Sequence, residues 1–521
     1  MKSDAGRNES IWTSTADIEL RPPLTGSEQA NVCIVGAGIA GLSTAYFLAR
    51  AGKSVVVLDD GPIAGGETGR TTAHLSNALD DRYIELERLH GERGARLAAE
   101  SHTQAIDAIE RIVTDEQIDC DFMRLDGYLF LPPGGDSDFL NLELEAAQRA
   151  RVPGVRMVDR APVKTFNTGQ CLLFPRQGQF HIVKYMAGLA KAVERLGGRI
   201  YTRTHVDDIQ NGASPVVKSG AASVKCNYVV VATNSPINNW VTIHTKQEPY
   251  RTYDIGALIP KELVPPLLLW DTSDPYHYVR TLPMSDRHDV LIIGGEDHRT
   301  GQAHDTDARF DCLEEWARER FPQIEHTEFR WSGQVMEPMD GLGFIGRNPG
   351  SDNVFIATGD SGHGMTHGTI AGLLIRDLIS GADNPWRKLY DPSRKTLKAA
   401  GEFARFNLNV AKHYLGYMTA GESRSPESVP HGTGAVIRRG VEKVAVYCDE
   451  NGVKHEFSAV CPHLGCIVDW NETEKTWDCP CHGSRFSCDG KVINGPANTD
   501  LGPTEDDEPP VIMNPVPTQT A

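Results

Sequence analysis

Two short segments near the C-terminal end constrain this chain more than any other feature: Cys461-Pro462-His463-Leu464-Gly465-Cys466 and, after a spacer, Cys479-Pro480-Cys481-His482-Gly483-Ser484. Each offers one thiol and one imidazole, as Cys-x-His and then Cys-x-x-His. If the fold brings the two loops together, one iron of a two-iron cluster can take both sulfurs and the other both histidine nitrogens. Tetrahedral zinc accepts two cysteines and two histidines as well, but zinc fingers group like ligands, whereas each loop here mixes them. Of eleven cysteines, five (Cys461, Cys466, Cys479, Cys481 and Cys488) crowd into this stretch. Cys33, Cys120, Cys171, Cys226, Cys312 and Cys448 are scattered and are expected to be small core hydrophobes.

The stretch resembles the Rieske proteins of cytochrome bc complexes over about residues 430 to 500. The resemblance implies a [2Fe-2S] cluster with Cys461 and Cys479 on one iron and His463 and His482 on the other, the histidines exposed to solvent. It also implies a Cys466–Cys481 disulfide clamping the two loops. Ser484 would donate a hydrogen bond to a bridging sulfur. Phe486 stands where those proteins carry a tyrosine, so one such bond is missing and the potential is expected to be lower, within the broad range of about −150 to +300 mV.

A second motif opens the chain's other end. Val32, Cys33, Ile34 and Val35 read as a short buried strand, Leu42 to Ala51 as a helix, and Val55 to Leu58 as a second buried strand. Between the first strand and the helix lies Gly36-x-Gly38-x-x-Gly41, which lets backbone amides approach a pyrophosphate at the helix N-terminus. Asp59 closes the second strand about 20 residues later, where an acidic side chain accepts from a ribose hydroxyl pair. Asp60 is the adjacent alternative.

Three features favour FAD over NAD: the site is N-terminal, the second strand runs into Gly65-Gly66-Glu67-Thr68-Gly69-Arg70, and a late strand ends in Ala357-Thr358-Gly359-Asp360-Ser361-Gly362-His363-Gly364. These segments resemble the D-amino-acid oxidase and glycine oxidase group of FAD-dependent oxidoreductases over about residues 30 to 385. The resemblance implies that Arg70, Thr71, Thr72 and His74 pass the flavin, held non-covalently, and that the strand ending in Ala232 and Thr233 packs beside the adenosine end. Val206 is counted with these cofactor-binding positions. The turn carrying Gly359, Asp360, Gly362, His363 and Gly364 would aim its helix N-terminus at the flavin pyrimidine carbonyl, with Trp331 to Gly346 nearby. Tyr253, Tyr276, His277, Tyr278, Arg280 and Arg330 are candidates to line the substrate pocket, and His363 is a further catalytic candidate. An arginine there would hold a substrate carboxylate.

The expected fold is an α/β Rossmann-like FAD-binding domain with an inserted antiparallel-sheet substrate domain, plus a small all-β Rieske domain. Residues 1–29 read as an arm on the surface and 30–395 as the FAD domain. Its cofactor-binding segments fall at about 30–80, 165–235 and 335–380, and its cap segments at about 81–164 and 240–330. A helix and linker follow over 396–428, then the Rieske domain over 429–505 and a disordered tail over 506–521.

A formal net charge of −18 argues against nucleic acid or an anionic membrane as partner. No apolar run reaches the roughly 18 to 20 residues a span needs, and the opening MKSDAGRNES carries neither an apolar signal region nor paired arginines before one. A cytoplasmic location is therefore expected. Flavins exchange electrons in pairs or singly and a Rieske cluster exchanges one. The combination is therefore expected to oxidise a small amine or amino acid and hand electrons to an external one-electron acceptor. The alternatives are an electron-transfer component feeding a separate oxygenase, for which no second nicotinamide-binding motif is present, and an oxidase whose Rieske module is structural or sensing.

Overall fold

The computed structural model describes residues 6–238, 242–414 and 425–504. The expected tail and residues 415–424 of the helix and linker expected over 396–428 lie outside the described residues.

The chain builds two large sheets and a small C-terminal unit. In the first sheet, Ser27–Val35 lies between Ala222–Val231 and Val55–Leu58, parallel to both, and the order continues to Arg199–Tyr201 on one side and Val354–Thr358 on the other. Val55–Leu58 is buried at every position, as the unbroken valine run of a central parallel strand requires. Helices Ile39–Arg50 and Gly364–Ser380 cross closely because Gly368 and Gly372 carry no side chain. A Cβ on Gly372 would lie 2.8 Å from Phe47 and from the Ser43 main chain.

The second sheet has nine strands, in the order His326–Pro338, Gln247–Pro260, His288–Arg299, Tyr278–Pro283, Leu268–Asp271, Met123–Phe130, Cys171–Gln179 and His74–Leu75, with Arg156–Val158 beside Cys171–Gln179. Its pairs are antiparallel except that Leu268–Asp271 runs parallel to Met123–Phe130. Along Gln247–Pro260 the alternation of side chains decides function: Tyr253, Ile255, Ala257 and Ile259 enter an apolar core, and Thr252 and Asp254 face a cavity between the two sheets.

Three expectations need correction. The segment 165–235 does not belong wholly to the cofactor-binding sheet, because Cys171–Gln179 pairs with Met123–Phe130 in the other one. The N-terminal arm is not a surface arm: Ser10 caps a short helix, Ile11–Thr15, in which Ile11 and Trp12 are fully buried. An isoleucine and a tryptophan in an otherwise polar segment supply apolar area that favours such docking. Cys312, expected in the core, is exposed.

The C-terminal unit pairs a three-stranded sheet, Thr433–Arg439, Glu442–Cys448 and Lys454–Ser458, with a four-stranded one, Asp469–Asn471, Thr476–Asp478, Arg485–Ser487 and Val492–Asn494. Phe406 and Val410 of helix Ala400–His413 complete its core beside Trp477 and Phe486, so the helix belongs to this unit and is more than a connector. Among the described residues no helix is long and apolar enough to cross a membrane.

Candidate functional site

A cavity of about 270 Å³ runs between the sheets. At one end stands the glycine turn. Gly36 has φ +104°, and a Cβ there would lie 2.4 Å from the Ala232 carbonyl oxygen; one on Gly41 would lie 1.9 Å from the Gly36 carbonyl oxygen. Glycine at both positions keeps the loop and the start of helix Ile39–Arg50 open to a ligand. Asp59 accepts from the Ala37 and Gly61 amides at 2.5 and 2.9 Å, which holds its carboxylate at the strand end. Thr204, His205, Val206, Ala232 and Thr233 line the same end. This glycine cradle and acidic strand end fit the adenosine half of FAD.

Further along, Arg70, Thr71, Thr72, His74, Gly359, Asp360, Gly362, His363 and Gly364 all reach the cavity. His74 sits 2.9 Å from the Thr72 hydroxyl, and burial pushes its imidazole down to about 3, so it is neutral. The Arg70 guanidinium is engaged elsewhere: it donates to the Ser332 carbonyl at 2.7 Å and to Glu474 at 2.8 Å.

The far end is built by the nine-stranded sheet. Tyr276, Tyr278 and Trp270 form its aromatic wall, and Asp80, Asp254, Asp297 and Glu337 its polar one. The Tyr276 hydroxyl donates to Asp80 at 2.8 Å and the Tyr278 hydroxyl to Asp254 at 3.1 Å. Burial works against the Asp80 charge, but His363, with Nε2 3.5 Å away, outweighs it and holds the carboxyl below its usual range.

Four pocket candidates are not there. Tyr253 points to the opposite face of its strand and bonds His298 at 2.8 Å. Arg280 is buried behind the wall, where it donates to the Thr72 and Ala73 carbonyls at 2.9 and 2.8 Å. Arg330 is half exposed and ion-paired with Glu314 at 2.9 Å. His277 stacks on Trp316, ring centroids 4.4 Å apart, and pairs with Asp271. Sequence reading missed Asp80, Asp254, Asp297 and Glu337. For Asp254, Asp297 and Glu337 the only signal was an acidic residue inside an apolar or glycine-rich strand, as in Tyr253-Asp254-Ile255, whereas Asp80 sits in a turn.

In the C-terminal unit the two loops do meet. The Cys461 and Cys479 thiols are hydrogen-bonded to each other, the His463 and His482 rings are 5.1 Å apart, and Cys466 and Cys481 are disulfide-bonded. Two adjacent thiols facing two adjacent imidazoles match the donor set of the cluster. The histidines, expected in solvent, are 5% and 4% exposed. His244 packs edge-on against both, with centroids 4.9 and 6.2 Å away, and Phe406 covers His482. The His244 cover comes from the docking of this unit onto the larger body, and the Phe406 cover from the unit's own helix.

The docking is extensive and charged. Glu474 is completely buried between Arg70 and Arg251, and accepts from Ser332. Burial alone would raise its carboxyl, but Arg70, Arg251 and Arg485 outweigh that and hold it at about 2. Gln334, on the cavity wall, donates through Nε2 to the carbonyl of Gly483 in the second cluster loop at 3.0 Å. Asn494 donates to Glu67 at 2.7 Å, and Val492, Ile493, Asn494, Gly495, Ala497 and Asn498 close one side of the same cavity.

Residues 31–378 match the family model described as FAD dependent oxidoreductase, and residues 422–505 match the Rieske [2Fe-2S] domain. The chain is 31% identical over 497 residues to the Rieske 2Fe-2S iron-sulfur protein YhfW of Bacillus subtilis (strain 168), spanning 94% of this chain and 96% of that one. It is 27% identical over 378 residues to the gamma-glutamylputrescine oxidoreductase of Escherichia coli (strain K12), spanning 69% of this chain and 85% of that one. The crystal structure of glycine oxidase from Geobacillus kaustophilus shares the fold, with a TM-score of 0.58 at 18% identity over 71% of this chain and 99% of that one.

Proposed function

This chain belongs to the FAD dependent oxidoreductase family, with a Rieske [2Fe-2S] domain attached, and we propose that it oxidises a small amine or amino acid and passes the electrons singly to an external acceptor. Its cofactors are FAD and a [2Fe-2S] cluster. The compartment proposed for it is the cytoplasm.

FAD, when bound, supplies a two-electron acceptor, and the cluster supplies a one-electron carrier. The rest is done by the chain. The substrate carbon bonded to nitrogen loses a hydride while the nitrogen lone pair forms a C=N bond, and water hydrolyses the iminium to a carbonyl compound and an amine. The Tyr276, Tyr278 and Trp270 rings narrow the reacting end and limit water there. His74, its imidazole pushed down to about 3 by burial and so neutral at pH 7, adds no positive charge against an iminium.

The observation that carries the proposal is the wall shared by the two sites. Gln334 lines the cavity on one side and holds the Gly483 carbonyl of the cluster loop at 3.0 Å on the other. A mobile shuttle needs no such contact; direct handover does. The test is anaerobic addition of amines, amino acids and NAD(P)H in turn to the purified holoprotein, following the visible flavin band. Bleaching by an amine or amino acid is expected. Bleaching by NAD(P)H alone would replace the proposal with an electron-transfer component.

A further inference from the structure

The reacting end of the cavity is acidic: His363 sits beside Asp80, but no arginine or lysine among the described residues that line the cavity pairs with Asp254 or Asp297. Arg70 is the only arginine or lysine among the described residues that line the cavity, and its guanidinium is paired with Glu474. Opposite stand Asp254 and Asp297, on the neighbouring strands Gln247–Pro260 and His288–Arg299. Asp254 is 1% exposed, and its Oδ1 accepts from Tyr278. Its Oδ2 has no partner, and neither has Asp297 Oδ1. A buried carboxylate oxygen without a donor is costly, and such atoms are rarely left so unless a ligand completes them. A carboxylate accepts only, so the missing group is a donor, and a cation satisfies both its hydrogen-bonding and its charge. The rings of Tyr276 and Tyr278, centroids 5.5 Å apart, and of Trp270 line the approach, and aromatic rings attract ammonium groups.

We propose that the substrate is a diamine or polyamine whose second ammonium, in the place where an amino acid carries its carboxylate, is seated between Asp254 and Asp297. This deepens the amine-oxidising reading and rests on it. A substrate carboxylate entering this end would meet Asp80, Asp254, Asp297 and Glu337 with no free guanidinium to receive it. Burial pushes Asp297 up to about 7 and Asp254 well above its usual range, and an ammonium between them would let both ionise.

Three ligands of one length separate the possibilities: 1,4-diaminobutane, n-butylamine and 4-aminobutanoate, which end in an ammonium, a methyl and a carboxylate. Dissociation constants are read from perturbation of the flavin spectrum of the holoprotein under anaerobic conditions, and diamines of three to six carbons are run beside their monoamines. The diamine is expected to bind roughly tenfold or more tighter than butylamine, the scale of a hydrogen bond to a charged group, with 4-aminobutanoate weakest. Asp254→Asn and, separately, Asp297→Asn are expected to shrink the diamine-to-monoamine ratio, with melting temperature and flavin content showing that each variant is folded. The inference is overturned if no diamine outbinds its monoamine, or if 4-aminobutanoate binds as tightly as the diamine. The two readings fail separately. Tight diamine binding with no bleaching removes the oxidation and leaves the recognition. Bleaching by 4-aminobutanoate with no diamine preference does the reverse.

Discussion

Glu474 concentrates the energetics of the molecule in one side chain. It lies between two arginines with all three side chains shut off from solvent, so removing its charge leaves Arg70 and Arg251 buried without it. Breaking such a pair costs about 3 to 5 kcal/mol, and Glu474→Gln is expected to lose a stability of that order at neutral pH. The pH dependence has a definite sign. The folded carboxyl, at about 2, lies below its ordinary 4.5. Its contribution is therefore complete above about 4.5 and is lost as pH falls from there towards 2, amounting to about 3 kcal/mol. Denaturant unfolding of the parent and of Glu474→Gln should give curves that converge through that window; a gap independent of pH would contradict the assignment. Nothing local in Thr473-Glu474-Lys475 announces this role, because its partners lie some 220 and 400 positions away in sequence. For the same reason Tyr253 and Arg330 read as pocket residues while Asp254 did not. Which face of a strand meets the cavity is set by tertiary pairing, not by the neighbours in sequence.

At the scale of elements, what was legible is what is contiguous. Gly36 to Gly41 and the two Cys/His loops carry their geometry within a few residues, so their chemistry could be read before their surroundings were known. Gly41→Ala would set a Cβ 1.9 Å from the Gly36 carbonyl oxygen, and neither atom can yield without unwinding the first turn of helix Ile39–Arg50. The variant should purify with FAD content reduced at least about tenfold, the scale of a kilocalorie or two of backbone strain, and with its Rieske EPR signal intact. Full flavin occupancy would refute the fit of FAD to this turn. Elements that depend on distant partners read less well. In strand Gln247–Pro260 only Ile255 to Ile259 carries an apolar strand pattern. Its polar first half is buried by pairing with His326–Pro338 and by lining the cavity. The first turn of helix Gly364–Ser380 carries no helix signal of its own, because it is written in glycine and histidine, residues that serve the cavity and not helix propensity.

For the whole molecule, the two domains are joined by buried contacts more than by their linker. Glu474, Gln334, Asn494 and the His244 cover each tie the cluster unit to the flavin body. Buried ion pairs are little screened by salt. Thermal unfolding followed by flavin fluorescence and by the visible dichroism of the cluster should therefore give one coincident transition, in low or high salt alike. Two separated transitions would mean that the domains are independent. The docking holds the second cluster loop against the cavity wall through Gln334 and Gly483, and the most direct test of the proposed electron route is a single turnover without external acceptor. The holoprotein is mixed anaerobically with a substoichiometric amine that bleaches the flavin, and the flavin band and the reduced Rieske EPR signal are followed together. The account predicts that the Rieske signal grows as the flavin band partly recovers, one electron having crossed the shared wall. A flavin band that stays bleached to its initial extent beside a cluster that stays oxidised would contradict it.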